Sequence, residues 1–229
     1  MITTARPPAT SIREPGTVCH ALGMPLVGFD LDMTLIDSRP QILAAFAALA
    51  GQTRTAIDID AVDRRLGVKL EDELAHWYAP SELAPAAALY RRHYVRLAAS
   101  ATVALPGARE ALAAVREAGG STAIVTAKHE TSVGPCLAAA GLEADAVYTF
   151  VHGPEKAAVL RRLGATAYVG DTPPDMQAAV TAGVVGIGVA TGSFGQGELR
   201  AAGATATLAT LRAFGPCLRD HIVAAAGQP

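Results

Sequence analysis

Two aspartates separated by a single residue follow a short apolar segment near the start of the chain. The segment, residues 24–30, reads MPLVGFD and ends in Asp30, and Asp32 comes two positions later. A short apolar run bounded by turn signals is typical of a buried strand in a parallel sheet. Two ionised carboxylates at the end of such a strand repel each other when they are partly buried. We therefore expect a positive charge to lie between them.

Further polar residues come at the ends of later predicted strands or at the starts of helices. They are Thr126 at the end of AIVT, Lys156 in HGPEK, and Asp171 and Asp175 in GDTPPD. Each alone has an ordinary structural explanation, because aspartate often caps a helix, threonine favours strands and a helical lysine is usually solvated. The carboxyl ends of parallel strands meet at one edge of a sheet, so we expect these side chains to converge with Asp30 and Asp32.

The predicted cluster has the chemistry of a metal-assisted phosphoryl site. Carboxylates gathered without histidine or cysteine are hard oxygen ligands that suit Mg²⁺. The expected metal ligands are Asp30, Asp32, Asp171 and Asp175. The ammonium of Lys156 and the hydroxyl of Thr126 then face the same point as the metal. A cation, a hydroxyl donor and Mg²⁺ around one point can bind a phosphoryl group.

The segments that must position these residues alternate between helix and strand. The pattern predicts helices near 107–118, 130–140, 154–163, 173–182 and 196–202, and strands near 121–127, 145–150, 166–171 and 184–190. Strands that alternate with helices of this length imply right-handed crossovers between parallel neighbours. We therefore expect an α/β fold whose core is a Rossmann-like, doubly wound parallel sheet.

Residues 40–100 show helical periodicity instead. PQILAAFAALAG starts with a proline near a first helical turn and stops at Gly51, and the segments that follow continue in the same way. This region predicts a small all-helical insert. We divide the chain into a loose N-terminal leader at 1–23, a catalytic core formed by 24–37 and 103–229, and the helical insert at 38–102.

Composition limits the choice of partner and compartment. With 51% hydrophobic and 17% charged residues, a net charge of -2 and a pI near 6.3, the chain gives no electrostatic reason to bind nucleic acid or an anionic membrane. We expect a small-molecule partner. The cysteines, Cys19, Cys136 and Cys217, are widely spaced and form no CxxC pair, so we expect reduced thiols and a cytoplasmic protein, monomeric or homodimeric.

The ordered motifs resemble those of the haloacid dehalogenase superfamily. They are D-x-D-x-T at 30–34, the strand-ending Thr126, then Lys156, and G-D-x-x-x-D at 170–175. The resemblance spans residues 26–213, and within the superfamily the chain looks like the phosphoglycolate-phosphatase-like hydrolases. It implies a Mg²⁺-dependent phosphatase that acts on a small phosphorylated metabolite, and it makes the helical insert the family's cap domain.

The resemblance also implies roles for individual residues. Asp30 would attack phosphorus and form an aspartyl-phosphate, while Asp32 would act as general acid and then as general base. Thr126 and the N–H of Ala127 would bind phosphoryl oxygens, and Lys156 would neutralise charge and orient Asp30. Mg²⁺ would be held by the Asp30 carboxylate, the Asp32 carbonyl and Asp171, with Asp175 acting directly or through water.

Three positions depart from the pattern of related phosphatases. Met33 stands where glycine is most common, and Ala127 stands where many relatives carry asparagine. Ala157 follows the lysine where many relatives have proline, so the placement of Lys156 is open and Lys128 is the alternative.

The same motifs are compatible with other functions. A sugar-phosphate phosphomutase keeps all four motifs. Phosphonoacetaldehyde hydrolase uses a lysine of the cap, for which Lys69 is available, but that enzyme and the haloacid dehalogenases lack an acid at the position of Asp32. A non-catalytic phospho-aspartate signalling or binding domain is the alternative of another class. A receiver-type domain is about half this length and has no helical insert, and a silent binding protein is expected to have lost Asp30 or Asp32.

The insert supplies candidates for contact with the leaving group. They are Arg64, Arg65, Lys69, His76 and Trp77. Side chains of these types on a helix usually lie in solvent or in the core, and this is the ordinary expectation for each of them. His129 and His152 flank the motifs and are expected to be local turn or cap residues.

Overall fold

The central sheet of the protein is parallel throughout. A computed structural model describes residues 24–223, so the predicted leader at 1–23 lies outside the described residues. The described strands are β1 (Leu26–Phe29), β2 (Ile36–Asp37), β3 (Val103–Ala104), β4 (Ser121–Val125), β5 (Ala146–Tyr148), β6 (Ala167–Gly170), β7 (Val185–Val189) and β8 (Ala206–Leu208). Six of them form one sheet in the order β5-β4-β1-β6-β7-β8. The predicted α/β fold with a Rossmann-like parallel sheet is confirmed.

Helices connect the strands and cover the sheet. They are α1 (Arg39–Thr53), α2 (Ile59–Arg64), α3 (Leu70–Leu74), α4 (Leu83–Ala101), α5 (Ala108–Glu117), α6 (Glu130–Ala140), α7 (Pro154–Leu163), α8 (Pro173–Ala182), α9 (Gln196–Ala201) and α10 (Phe214–Leu218). Short 3₁₀ and π turns cover Leu211–Ala213 and Arg219–Val223. Helices α6, α7 and α8 begin and end where the sequence predicts, because proline, glycine and capping residues mark their ends.

Strand β1 lies in the middle of the sheet and brings the two central motifs together. It pairs with β4 on one side and with β6 on the other. Phe29, Ile124 and Val169 occupy neighbouring positions and are fully buried. This burial explains why the strand sequences are continuously apolar rather than alternating. The residues that follow β1, β4 and β6 therefore leave the sheet at the same edge.

Helices α1 to α4 form the helical insert between β2 and β3. Strands β2 and β3 pair in antiparallel fashion, with Ile36 opposite Ala104, so the chain leaves and re-enters the core side by side. Helix α4 packs against α1 and also against α6 of the core. The insert is helical as predicted, and its treatment as a separate domain remains an interpretation.

Some short elements were not predicted. Strands β2, β3 and β8 have only two or three residues, too few to show a periodic pattern. Cys136 and Cys217 are unpaired and buried, while Cys19 lies outside the described residues. Within residues 24–223, no helix has both the length and the apolar character needed to cross a membrane.

Candidate active site

Three acidic side chains meet at the carboxyl edge of the sheet. Asp30 follows β1, Asp171 follows β6, and Asp175 lies in the first turn of α8. All three are buried, and one carboxylate oxygen from each lies within 4.8 Å of the others. The N–H of Asp30 donates to the carbonyl of Val169 at 2.8 Å, which ties the two strand ends together. The predicted convergence of these acids is present in the structure.

Lys156 supplies the positive charge at this cluster. It lies in the first turn of α7 after Gly153 and Pro154, and its ammonium donates to Asp30 Oδ1 at 3.0 Å and to Asp175 Oδ1 at 2.7 Å. The side chain is buried. The substitution of proline by Ala157 therefore does not displace the lysine. Of the two lysines considered for this position, Lys156 is the one that contacts Asp30.

Asp175 is held by several donors at once. Its Oδ1 also accepts from the Tyr168 hydroxyl at 3.3 Å, and its Oδ2 accepts from the Thr172 hydroxyl at 2.6 Å and the Thr172 N–H at 3.2 Å. Thr172 and Asp175 form a capping box at the start of α8. Asp175 thus starts the helix and also orients Lys156.

Asp171 is the acid with the most freedom to bind a cation. Its Oδ1 accepts the Thr34 hydroxyl at 2.8 Å, and within the described part of the chain no lysine or arginine forms an ion pair with it. Gly192 makes room for the other oxygen, because a Cβ at that position would lie 2.0 Å from Asp171 Oδ2. The function of Thr34, the last residue of D-x-D-x-T, was not predicted.

Three buried acids and one buried lysine, Lys156, shift one another's pKa values in this cluster. Burial raises the pKa of Asp30 to about 6; Lys156 opposes this rise, and Asp175 and Asp32 add to it. Burial and the charges of Asp175 and Asp30 raise the pKa of Asp171 well above its ordinary value. Burial alone would lower the pKa of Lys156, but Asp175 and Asp30 outweigh it and raise that pKa well above normal. The three acids together therefore bear more negative charge than Lys156 can balance when all are ionised.

Asp32 is paired with a second lysine. Lys128 donates to Asp32 Oδ1 at 2.7 Å, and its ammonium lies 4.1 Å from the centre of the Tyr94 ring of α4. Each of the two acids therefore has its own lysine, and the expected positive charge between them stays a prediction. The spacing of Lys128 two residues after Thr126 was the available signal for this contact.

Thr126 and Ala127 form a turn beside the acids. Thr126 is buried at the end of β4, and its hydroxyl oxygen accepts from the N–H of Lys128 at 3.2 Å. Both residues line the same cavity as Asp30. The structure thus places the residues of the four core motifs around one cavity.

A cavity of about 510 Å³ lies over this edge of the sheet. The core contributes its acids and lysines, and the insert contributes residues that include Val68, Lys69, Tyr90 and Arg91. Of the candidates in the insert, only Lys69 lines this cavity. Arg65 and Trp77 bind Glu73 instead, at 2.7 and 3.1 Å, and stabilise the insert. His129 accepts from the N–H of Thr131 at the start of α6, as expected of a cap residue.

Comparison with known proteins identifies the family. A profile described as haloacid dehalogenase-like hydrolase matches residues 27–189, which include every motif named above. The chain belongs to this family. A protein named "Probable phosphatase IndB" from Dickeya dadantii is 34% identical over 198 residues, covering 78% of this chain and 86% of that protein. A phosphoglycolate phosphatase from Pseudomonas putida is 32% identical over 203 residues, covering 78% of this chain and 72% of that protein.

Solved structures of haloacid dehalogenase-like proteins share the fold. A hydrolase from Pseudomonas syringae superposes with a TM-score of 0.72 at 24% identity, covering 86% of this chain and 98% of that one. The superposition includes most of both chains, so the two proteins have the same overall fold.

Proposed function

We propose that this haloacid dehalogenase-like hydrolase is a Mg²⁺-dependent phosphatase that hydrolyses a small phosphomonoester through an aspartyl-phosphate on Asp30. The observation that carries the proposal is the buried contact of Lys156 with both Asp30 and Asp175. It fixes a carboxylate oxygen and a cation on the same side of the cavity, next to Thr126. Phosphoryl transfer requires a nucleophile and a fixed positive charge that both face the phosphoryl group. The names of the relatives from Dickeya dadantii and Pseudomonas putida support the same reaction.

The residues at the cluster fit a hard divalent cation. Asp30 and Asp171 would hold Mg²⁺ with the carbonyl of Asp32, because these are oxygen ligands and the space at Gly192 admits Asp171 Oδ2. Both oxygens of Asp175 already accept hydrogen bonds, so we place Asp175 at the metal through water. When bound, Mg²⁺ neutralises charge on the phosphoryl group and on the acids.

Asp30 and Asp32 have different roles in the two steps of the reaction. In the first step a carboxylate oxygen of Asp30 bonds to phosphorus, and the bond from phosphorus to the leaving oxygen breaks. Asp32 gives a proton to that oxygen. In the second step water attacks the aspartyl-phosphate, Asp32 takes a proton from the water, and phosphate leaves Asp30. Thr126, the Ala127 N–H and Lys156 bind the phosphoryl oxygens throughout.

The contact of Asp32 with Lys128 orients the carboxylate. Lys128 uses Asp32 Oδ1, and in residues 24–223 no other side chain donates to that carboxylate. The remaining oxygen is free to carry the proton. A lysine that fixes the carboxylate without covering both oxygens orients the general acid and base.

The test is release of inorganic phosphate from a panel of phosphomonoesters with Mg²⁺ and after chelation. We expect hydrolysis that requires Mg²⁺ and that is lost in Asp30→Asn. The same panel, with phosphate-accepting sugars added, separates a phosphatase from a phosphomutase, since a mutase moves the phosphoryl group without releasing it. Hydrolysis that persists without a divalent cation contradicts the proposal.

A further inference from the structure

Phe150 is a large apolar residue exposed in the wall of the active-site cavity. Its exposed fraction is 51%, and it lines the cavity together with Asp30 and Thr126. Its backbone has a φ of 58°, in the left-handed region that bulky residues rarely adopt. The fold therefore maintains a strained backbone at a residue whose exposed phenyl ring lines the cavity. Strain of this kind is concentrated at functional sites.

Hydrogen bonds of the backbone fix Phe150 to the loop proposed to bind the phosphoryl group. The N–H of Phe150 donates to the carbonyl of Lys128, and the N–H of Val151 donates to the carbonyl of Thr126, both at 3.0 Å. These bonds place Phe150 directly beside the residues that contact phosphate in the proposed reaction. A group attached to that phosphate would extend into the cavity that the phenyl ring lines.

Two imidazoles accompany the phenyl ring. The ring centre of His152 lies 4.9 Å from that of Phe150, and the ring centre of His129 lies 5.6 Å from it, both in T-shaped geometry. All three residues line the cavity, and we call them the aromatic cluster. Burial, with Lys69 nearby, lowers the pKa of His152, so its ring is uncharged at neutral pH.

The insert contributes an apolar side chain to the same space. Val68 is 52% exposed and lines the cavity that the aromatic cluster also lines. The volume of about 510 Å³ is typical of sites that bind molecules larger than a two-carbon phosphate ester. The space next to the phosphoryl loop is therefore suited to a large leaving group with apolar faces.

We propose that the aromatic cluster stacks on a planar aromatic ring in the leaving group, so that the substrates are phosphomonoesters of ring-bearing alcohols. The proposal names the substrate class of the proposed phosphatase and rests on that function. Aryl rings and nucleobases share the required chemistry, which is a flat π-face. Phe150 supplies the principal contact, and Val68 supplies an apolar contact from the insert.

The experiment compares pairs of compounds of which one member carries an aromatic ring and the other does not. Benzyl phosphate and cyclohexylmethyl phosphate are hydrolysis substrates with leaving groups of similar size and acidity. Their phosphonate analogues measure binding by calorimetry in the presence of Mg²⁺. A nucleoside 5′-monophosphate compared with ribose 5-phosphate shows whether the ring is a nucleobase.

For the wild-type protein we expect a preference of about tenfold, in kcat/KM and in Kd, for the aromatic member of at least one pair. Phe150→Leu keeps an apolar side chain but removes the ring, so this preference should fall to near one. Phe150→Tyr should retain it. Val180→Ala alters an exposed apolar residue that does not line the cavity and should also retain it.

The outcomes distinguish this inference from the proposed function. No preference for the aromatic member of any pair, or the same preference in Phe150→Leu as in the wild type, overturns the stacking proposal while hydrolysis itself stands. Preferential binding of an aromatic phosphonate by a protein that hydrolyses no phosphomonoester supports the stacking site and contradicts the phosphatase.

Discussion

The ammonium of Lys156 lies 3.0 Å from Oδ1 of Asp30, although 126 positions separate the two residues in the chain. The contact forms because β1 is a central strand and α7 begins beside the same edge of the sheet. It gives the proposed nucleophile a fixed orientation. It also leaves one cation among three acids, which is the reason for expecting a metal.

Replacing Lys156 by Met should reduce both activity and stability. The side chain is buried, and its loss leaves Asp30 and Asp175 without a counter-charge. We expect kcat to fall by about 100-fold or more. We expect the metal-free protein to lose about 3–5 kcal/mol of unfolding free energy. Urea denaturation and steady-state kinetics measure the two effects, and Arg162→Met, on the exposed face of α7, is the control. A fully active Lys156→Met variant would remove this lysine from the mechanism.

Replacing Gly192 by Ala should weaken Mg²⁺ binding specifically. The added Cβ would lie 2.0 Å from Asp171 Oδ2, so the carboxylate must turn away. We expect the Kd for Mg²⁺ to rise roughly 10- to 100-fold. Gly197→Ala is the matched control, because a Cβ there meets nothing within 4 Å. Equal Mg²⁺ affinity in both variants would show that Asp171 does not bind the metal.

The raised pKa values of two acids predict a pH dependence of metal binding. Burial raises the pKa of Asp30 to about 6, so Asp30 is partly protonated in the metal-free protein near pH 6, and burial also raises the pKa of Asp171 well above normal. Mg²⁺ binds the ionised forms, so binding releases protons and affinity rises with pH. Calorimetry in buffers of different ionisation enthalpy measures the protons released.

A variant at Thr34 sharpens this test. The hydroxyl of Thr34 donates to Asp171 and opposes the rise of its pKa, so Thr34→Val should shift proton release to higher pH. Binding that is independent of pH between 5 and 8, with no proton release, would contradict the metal site as described.

Much of this site could be predicted from the sequence because a parallel sheet gathers its strand ends. Asp30, Thr126 and Asp171 each follow an apolar strand, so their convergence depends only on the topology. The partner of Thr34 could not be predicted, because it depends on a loop conformation that no periodic pattern encodes, and for Lys128 only its position two residues after Thr126 gave a signal. The strained backbone of Phe150 likewise becomes visible only in three dimensions.

The central claim is that the phosphoryl group passes through Asp30. The most direct measurement is acid quenching of Asp32→Asn during turnover of p-nitrophenyl phosphate, followed by borohydride reduction and peptide mass spectrometry. This leaving group needs no proton, and water is no longer activated in the variant, so the aspartyl-phosphate should accumulate. The account predicts that Asp30 is converted to homoserine in Asp32→Asn and that Asp30→Asn shows neither label nor hydrolysis. Hydrolysis by Asp30→Asn, or a label on another residue, would contradict it.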